Sequence, residues 1–147
     1  TRQTLPLELN SQELEQLGCQ GMELVVYGYL PVMTSAQCIQ KTTDRCTHRP
    51  GLLRMRDRTG KDLPVKNRCT FCYNTIYNTT PLMLFGYGKE LQKADFSNFR
   101  LNFTVESEEK VRQILAIYET VFYEGRKNLA DVYQGEYTNG HYKRGVE

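Results

Sequence analysis

Five cysteines, Cys19, Cys38, Cys46, Cys69 and Cys72, are the residues with the most chemistry to offer. Four of them fall in one 35-residue stretch with the spacing C-x7-C-x22-C-x2-C. Cys19 stands apart, between Gly18 and Gly21. An odd count does not fit a framework made only of disulfides. In Cys69-Thr70-Phe71-Cys72 the two intervening residues let both sulfurs turn toward one ion. Cys38 and Cys46 would complete a set of four thiolates, which suits zinc or an iron–sulfur cluster. Only one pair is tight, and irregular spacing is commoner for clusters than for zinc ribbons. Two other readings stay open. A thioredoxin-type redox pair needs a helix N-terminus inside a βαβ pattern, whereas Tyr73-Asn74-Thr75-Ile76-Tyr77 reads as extended. The third reading is unconnected buried cysteines. His48 and His141 are the substitute ligands, and His48, beside Arg49 and Pro50, reads as a solvated loop residue.

Other polar residues invite a role. Arg54, Arg56, Arg58 and Lys61 lie between the two cysteine pairs and could hold a phosphate or a carboxylate substrate. The same residues read equally well as a solvated hairpin face. Glu23 opens a buried-looking strand, where a carboxylate needs a partner such as a salt bridge. Glu106 follows a later alternating run. Neither H-E-x-x-H nor G-x-S-x-G occurs, so no hydrolytic motif is present.

The elements that must position these groups can be read from pattern. Residues 5–9 (LPLEL) suggest a short strand, and Asn10 or Ser11 caps a helix over 12–17 that Gly18 and Gly21 end. Residues 23–27 (ELVVY) form an apolar run suited to a covered strand. Strand, helix and strand in that order imply a parallel pair. Residues 29–50 show no period and read as a long loop bearing Cys38 and Cys46, which a metal would tie down. Residues 52–57 and 62–65, around Thr59-Gly60, read as a hairpin. Residues 82–85 suit a strand or a helix start, 89–94 a short helix and 99–103 a strand. From Ser107, apolar Val111, Ile114, Leu115, Tyr118, Val121 and Phe122 recur at helical spacing, with Gly125 as the stop. In the tail, Tyr133, Tyr137 and Tyr142 would cover a core edge or stack on a ligand.

The chain has 147 residues, with 39% hydrophobic and 24% charged, as in a soluble globular domain. A net charge of +2 is too small to mark a nucleic-acid binder by itself. No apolar run reaches the roughly 18 residues of a membrane span, and no basic-then-apolar leader is visible. The opening Thr1-Arg2-Gln3, without Met, reads as a chain processed or cut from something longer. Clustered reduced cysteines point to a cytoplasmic home.

The run from Glu23 through Gly28 and Leu30 to Cys38 resembles the signature of the U32 peptidase family, the collagenase-like proteases. Val25 stands where that signature has an aromatic residue. Tyr29, Pro31 and Ala36 stand at its small, Cys and Gly positions, so the likeness is to a divergent branch. Residues 53–65, 72–78, 99–106 and 140–145 resemble the family's arginine-rich hairpin, second cysteine segment, late strand and closing segment, in that order. The resemblance covers the C-terminal portion of a family protein. It implies α/β architecture: strand–helix units of a (β/α) barrel at 1–28 and 95–126, a cysteine-bearing loop and hairpin insertion at 29–80, and a tail at 127–147.

In such a barrel, chemistry sits at the C-terminal ends of the strands, here Asn10, Gly28-Tyr29 and Thr104 to Glu106. The resemblance implies an iron–sulfur enzyme of the RNA-modification or hydroxylation type. Cys38, Cys46, Cys69 and Cys72 would hold a 4Fe-4S cluster, with zinc as the alternative. Glu23 and Glu106 become the catalytic candidates, and Arg54, Arg56, Arg58, His141 and Arg144 the substrate-binding ones. The partner is then RNA or a small carboxylate. Two further functions remain: a collagenase-like peptidase acting on peptides, and a metal-stapled binding fragment without activity of its own. On any of them the chain alone is expected to be inactive, to stay off the membrane, and to self-associate through the cut barrel.

Overall fold

The computed structural model describes residues 3–123 and 133–144. The architecture is mixed α/β, with two four-stranded sheets and four helices among the described residues. The chain divides into two compact units: Thr1–Gly28 with Pro81–Glu147, and Tyr29–Thr80.

The first unit is built around β2 (Met22–Gly28), buried at every position from Glu23 to Gly28. β1 (Gln3–Thr4) pairs with the start of β2 in parallel, and the connection carries α1 (Ser11–Leu17). Asn10 caps α1 through Gln12 N and Glu13 N, and the Glu13 side chain returns to Asn10 N at 2.8 Å. This reciprocal bonding satisfies the free N–H groups of the first turn. The strand expected at 5–9 is displaced to Gln3–Thr4, because Pro6 has no N–H to offer and Leu7 and Glu8 turn toward the cap. β7 (Leu82–Met83) pairs antiparallel with the end of β2, and β8 (Asn98–Asn102) runs parallel along it. At Gly28 a Cβ would stand 2.6 Å from the Asn102 carbonyl oxygen, so the close approach of β2 and β8 needs a glycine there.

α3 (Gly88–Lys93) and α4 (Glu108–Phe122) complete the unit. Ser107 caps α4, and Ile114, Ile117, Tyr118 and Val121 are its buried face. Leu115, expected on that face, is 42% exposed, and Ile117 takes the buried position. The expected stop at Gly125 lies outside the described residues. Tyr133 and Tyr142 are buried against Phe85 and Tyr87, so these two tail tyrosines cover a core edge.

No barrel closes. β1 and β7 are two-residue strands sharing one edge of β2, and the antiparallel β7 interrupts a run of parallel neighbours. The expected α/β class is present, as an open mixed sheet.

The second unit is an antiparallel sheet of order β3-β6-β5-β4. It comprises β3 (Pro31–Ser35), β4 (Gly51–Arg56), β5 (Asp62–Arg68) and β6 (Tyr73–Tyr77), with α2 (Ile39–Thr42) on the connection from β3 to β4. The segment expected to be one long loop therefore contains a strand and a helical turn. Four of the five β3 residues are exposed, so its place is set by backbone pairing with β6 and leaves no hydrophobic alternation to read. The expected hairpin is present as β4 and β5. Asp57 Oδ1 holds its turn by accepting from Thr59 N at 2.7 Å and Lys61 N at 2.9 Å.

Candidate metal centre

Directly opposed residues in an antiparallel sheet share a face. Leu53, Val65, Ile76 and Met33 form one row across the second unit, and Gly51, Asn67, Asn74 and Ser35 the next. Val65, Asn67 and Asn74 are fully buried and Ile76 nearly so, which makes this the inner face. Two asparagines in so small an interior need partners. Asn74 Nδ2 donates to the Gln37 carbonyl at 2.9 Å. Asn67 Nδ2 donates to Gln40 Oε1 at 2.6 Å and to Cys69 Sγ at 3.3 Å, while its Oδ1 accepts from Cys38 Sγ at 3.7 Å. One amide thus ties together two cysteines that are 31 positions apart in the chain.

Each cysteine reaches this neighbourhood by a local device. Cys38 is the N-cap residue of α2, yet its side chain makes no capping bond and turns to Asn67. Cys69 and Cys72 flank a tight turn in which Cys72 N donates to the Cys69 carbonyl at 3.4 Å. Cys72 closes that turn with φ at +52°, a left-handed conformation uncommon outside glycine. Cys46 lies between Asp44 and His48, both also left-handed. Burial pushes the Cys69 thiol upward, and the neighbouring Cys46, Cys38 and Cys72 push it further. Cys38 and Cys72 also line an open depression of about 400 Å³ with Ala36, Gln37, Lys41 and Thr42.

The donor set fits a soft metal or a cluster in type and number. No three His, Cys, Asp or Glu side chains among the described residues already form a coordination group. Asn67 brings the sulfurs of Cys38 and Cys69 onto one amide, and Cys72 follows Cys69 across a tight turn.

Cys19 belongs to the first unit, where its thiol donates to the Leu14 carbonyl at 3.2 Å and is pushed up by burial, then by Glu15 and Asp95. His48 is exposed on the cysteine-bearing connection.

The two candidate carboxylates are not brought together. Glu23 is buried at the N-terminal end of β2, accepting from Thr4 Oγ1 at 2.9 Å and paired with Arg100 Nε at 2.7 Å. Glu106 lies past the C-terminal end of β8, where its Oε2 accepts from Thr104 N at 2.6 Å and Val105 N at 2.8 Å. β2 and β8 are parallel, so these are opposite ends of one strand pair. Glu23 serves as a salt-bridged strand carboxylate, and Glu106 latches the turn ahead of α4.

The basic candidates divide between the units. Arg54 and Arg56 lie on β4 and Arg58 in the turn after it, all exposed, with Arg56 Nε 3.0 Å from Asp62. His141 and Arg144 are exposed residues of the first unit.

Asn67, Asn74 and Gln40 escaped the sequence reading. A signal existed for Asn67: it falls two residues after Val65, on the buried phase of a strand. Among the described residues no helix is long and apolar enough to cross a membrane. Comparison with protein-family models, curated proteins and solved structures gave no match.

Proposed function

We propose that the Tyr29–Thr80 unit is a thiolate-held metal module in which Cys38, Cys46, Cys69 and Cys72 carry a four-iron cluster, with zinc as the alternative. On the sequence resemblance, the parent protein is an iron–sulfur relative of the U32 peptidases acting in RNA modification or hydroxylation. The carrying observation is the buried Asn67 amide, which binds the sulfurs of Cys38 and Cys69 on the inner face of the sheet. An N–H directed at a ligating sulfur is a recurrent means of setting a cluster's potential. When bound, such a cluster supplies one-electron transfer. The protein's own contribution is to fix the sulfurs: Asn67 Nδ2 orients Cys69, the Cys69–Cys72 turn sets Cys72, and the depression beside Cys38 and Cys72 gives access from solvent.

The geometry favours this over peptide hydrolysis, because Glu23 and Glu106 are separated and each has a structural partner. The test is purification of the full chain without air, followed by metal and sulfide analysis and a visible spectrum. A brown protein with iron and sulfide in equal amount supports the cluster. A colourless protein with one zinc leaves the module but removes redox chemistry. Protein free of both metals after reconstitution sinks the reading.

A further inference from the structure

The second unit's sheet has an outer face whose chemistry differs from that of the cysteine side. Leu52, Lys66, Thr75 and Thr34 form a row across all four strands there. Arg54, Arg56 and Arg68 stand on the same face by register, Arg68 directly opposite Tyr73. All three arginines are exposed. Arg56 is engaged by Asp62, whereas Arg54 and Arg68 have no carboxylate within ion-pair distance among the described residues. Phe71, 77% exposed, stacks on Tyr73 with ring centroids 6.4 Å apart and an interplanar angle of 27°.

Charge is segregated in the same sense. Residues 29–80 hold nine Lys and Arg against three Asp and Glu, a net of +6. The rest of the chain holds ten against fourteen, a net of −4. The near-neutral total hides a strongly basic module.

Open guanidinium groups beside an exposed Phe71 stacked on a half-buried Tyr73 suit a ligand that carries both phosphates and flat bases. An acidic polypeptide would satisfy the arginines but give Phe71 nothing to stack on. The hydroxyls of Thr34 and Thr75 on this face can meet a ribose 2′-OH. We propose that this outer face docks single-stranded RNA. Naming RNA as occupant rests on the RNA-directed reading above, while the surface itself uses none of the thiolates. The strand is held on the side of the sheet away from Asn67, so this is a docking platform and not the reacting centre.

The test is fluorescence anisotropy of the full chain with a labelled oligouridine across a salt series. Affinity should fall as salt rises. Arg54→Gln with Arg68→Gln should reduce the log–log salt slope by about 1.4, at about 0.7 per phosphate contact on single strands. Phe71→Ala should weaken binding by about 5- to 150-fold, the range for losing one stacked base, and leave the slope unchanged. Lys89→Gln with Lys93→Gln, outside the module, should change neither. Polyglutamate competing as well as RNA, oligothymidine binding equally, or an inert Phe71→Ala would each overturn the proposal. A metal-free protein that still binds RNA upholds the platform and removes only the cluster. A brown protein that binds no RNA removes only the platform.

Discussion

The two units solve the problem of an interior by different means. The first buries Leu24, Val25, Val26 and Tyr27 of β2 against Leu82 to Phe85 and against Ile114, Ile117, Tyr118 and Val121 of α4. The second buries Val65, Ile76 and Tyr77, and fills the remaining interior with Cys38, Asn67 and Asn74. An apolar interior stabilises in proportion to area, at roughly 25 cal/mol per Å², and small units run short of area. Polar side chains that bond each other and cysteine sulfurs add order without that area. The comparison teaches that Cys38 of the second unit stands where a larger protein would place a leucine, in an interior short of apolar area to which a staple would contribute most.

The largest effect that could break the comparison comes from the proposed staple. Cys72→Ser, or chelation of the loaded protein, should strip hydrogen-exchange protection from residues 29–80 while α4 keeps its own. Metal binding to a site of this kind is folding free energy, on the order of 10 kcal/mol for structural zinc. Cys19→Ser should leave metal content unchanged, because its thiol is satisfied by Leu14 within the other unit. Equal loss of protection in α4 and in β5 would show that the units do not stabilise themselves separately.

A smaller effect sharpens the other side. Ile114 is fully buried on α4. Ile114→Ala should destabilise the first unit by about 2–5 kcal/mol, through lost burial and the cavity left behind. Urea unfolding followed by exchange at α4 and at β5 should show the midpoint fall for the first and stay for the second. A matching shift in β5 would contradict the division.

How much of this was legible follows the same line. In the first unit local signals and burial agree: the 3.6-residue period and Ser107 mark α4, Asn10 and Glu13 mark α1, and the apolar run marks β2. Where they disagree, tertiary pairing wins, as when Leu115 is left outside and Ile117 goes in. In the second unit the hairpin was legible from Asp57 to Gly60, because turn chemistry is local. β3 was not, since a strand held only by its neighbour's backbone leaves no pattern in its side chains. The four cysteines were legible by type and spacing. Asn67, the shared partner of Cys38 and Cys69, was legible only as an inward-facing position two residues after Val65, because strand phase does not say which distant sulfurs an amide meets. The carboxylates were legible as candidates, and register then separated them.

The smallest effect is a pH dependence carried by two tyrosines of the first unit. Tyr118 is buried, accepts from Leu84 N at 3.3 Å and donates to the Val26 carbonyl. Burial holds its hydroxyl well above the ordinary tyrosine range. Tyr142 is pushed up to about 12, first by burial and then by Glu90, Glu15, Tyr87 and Cys19. For a group whose folded pKa exceeds its unfolded value, the unfolded chain releases its proton first as pH rises. The stabilisation is therefore whole below about pH 10, the ordinary tyrosine value, and drains away as pH climbs toward and past 12. Urea midpoints for the first unit should be flat from neutral pH to about 9 and then decline. Tyr142→Phe should shallow that decline, because one proton difference between folded and unfolded chain is gone. Tyr118→Phe should shallow it too, and also lower the neutral-pH midpoint, by about 1–3 kcal/mol for a buried bond left unmade. A decline unchanged in both variants would mean that these hydroxyls are not what ties the alkaline limit to the first unit's core.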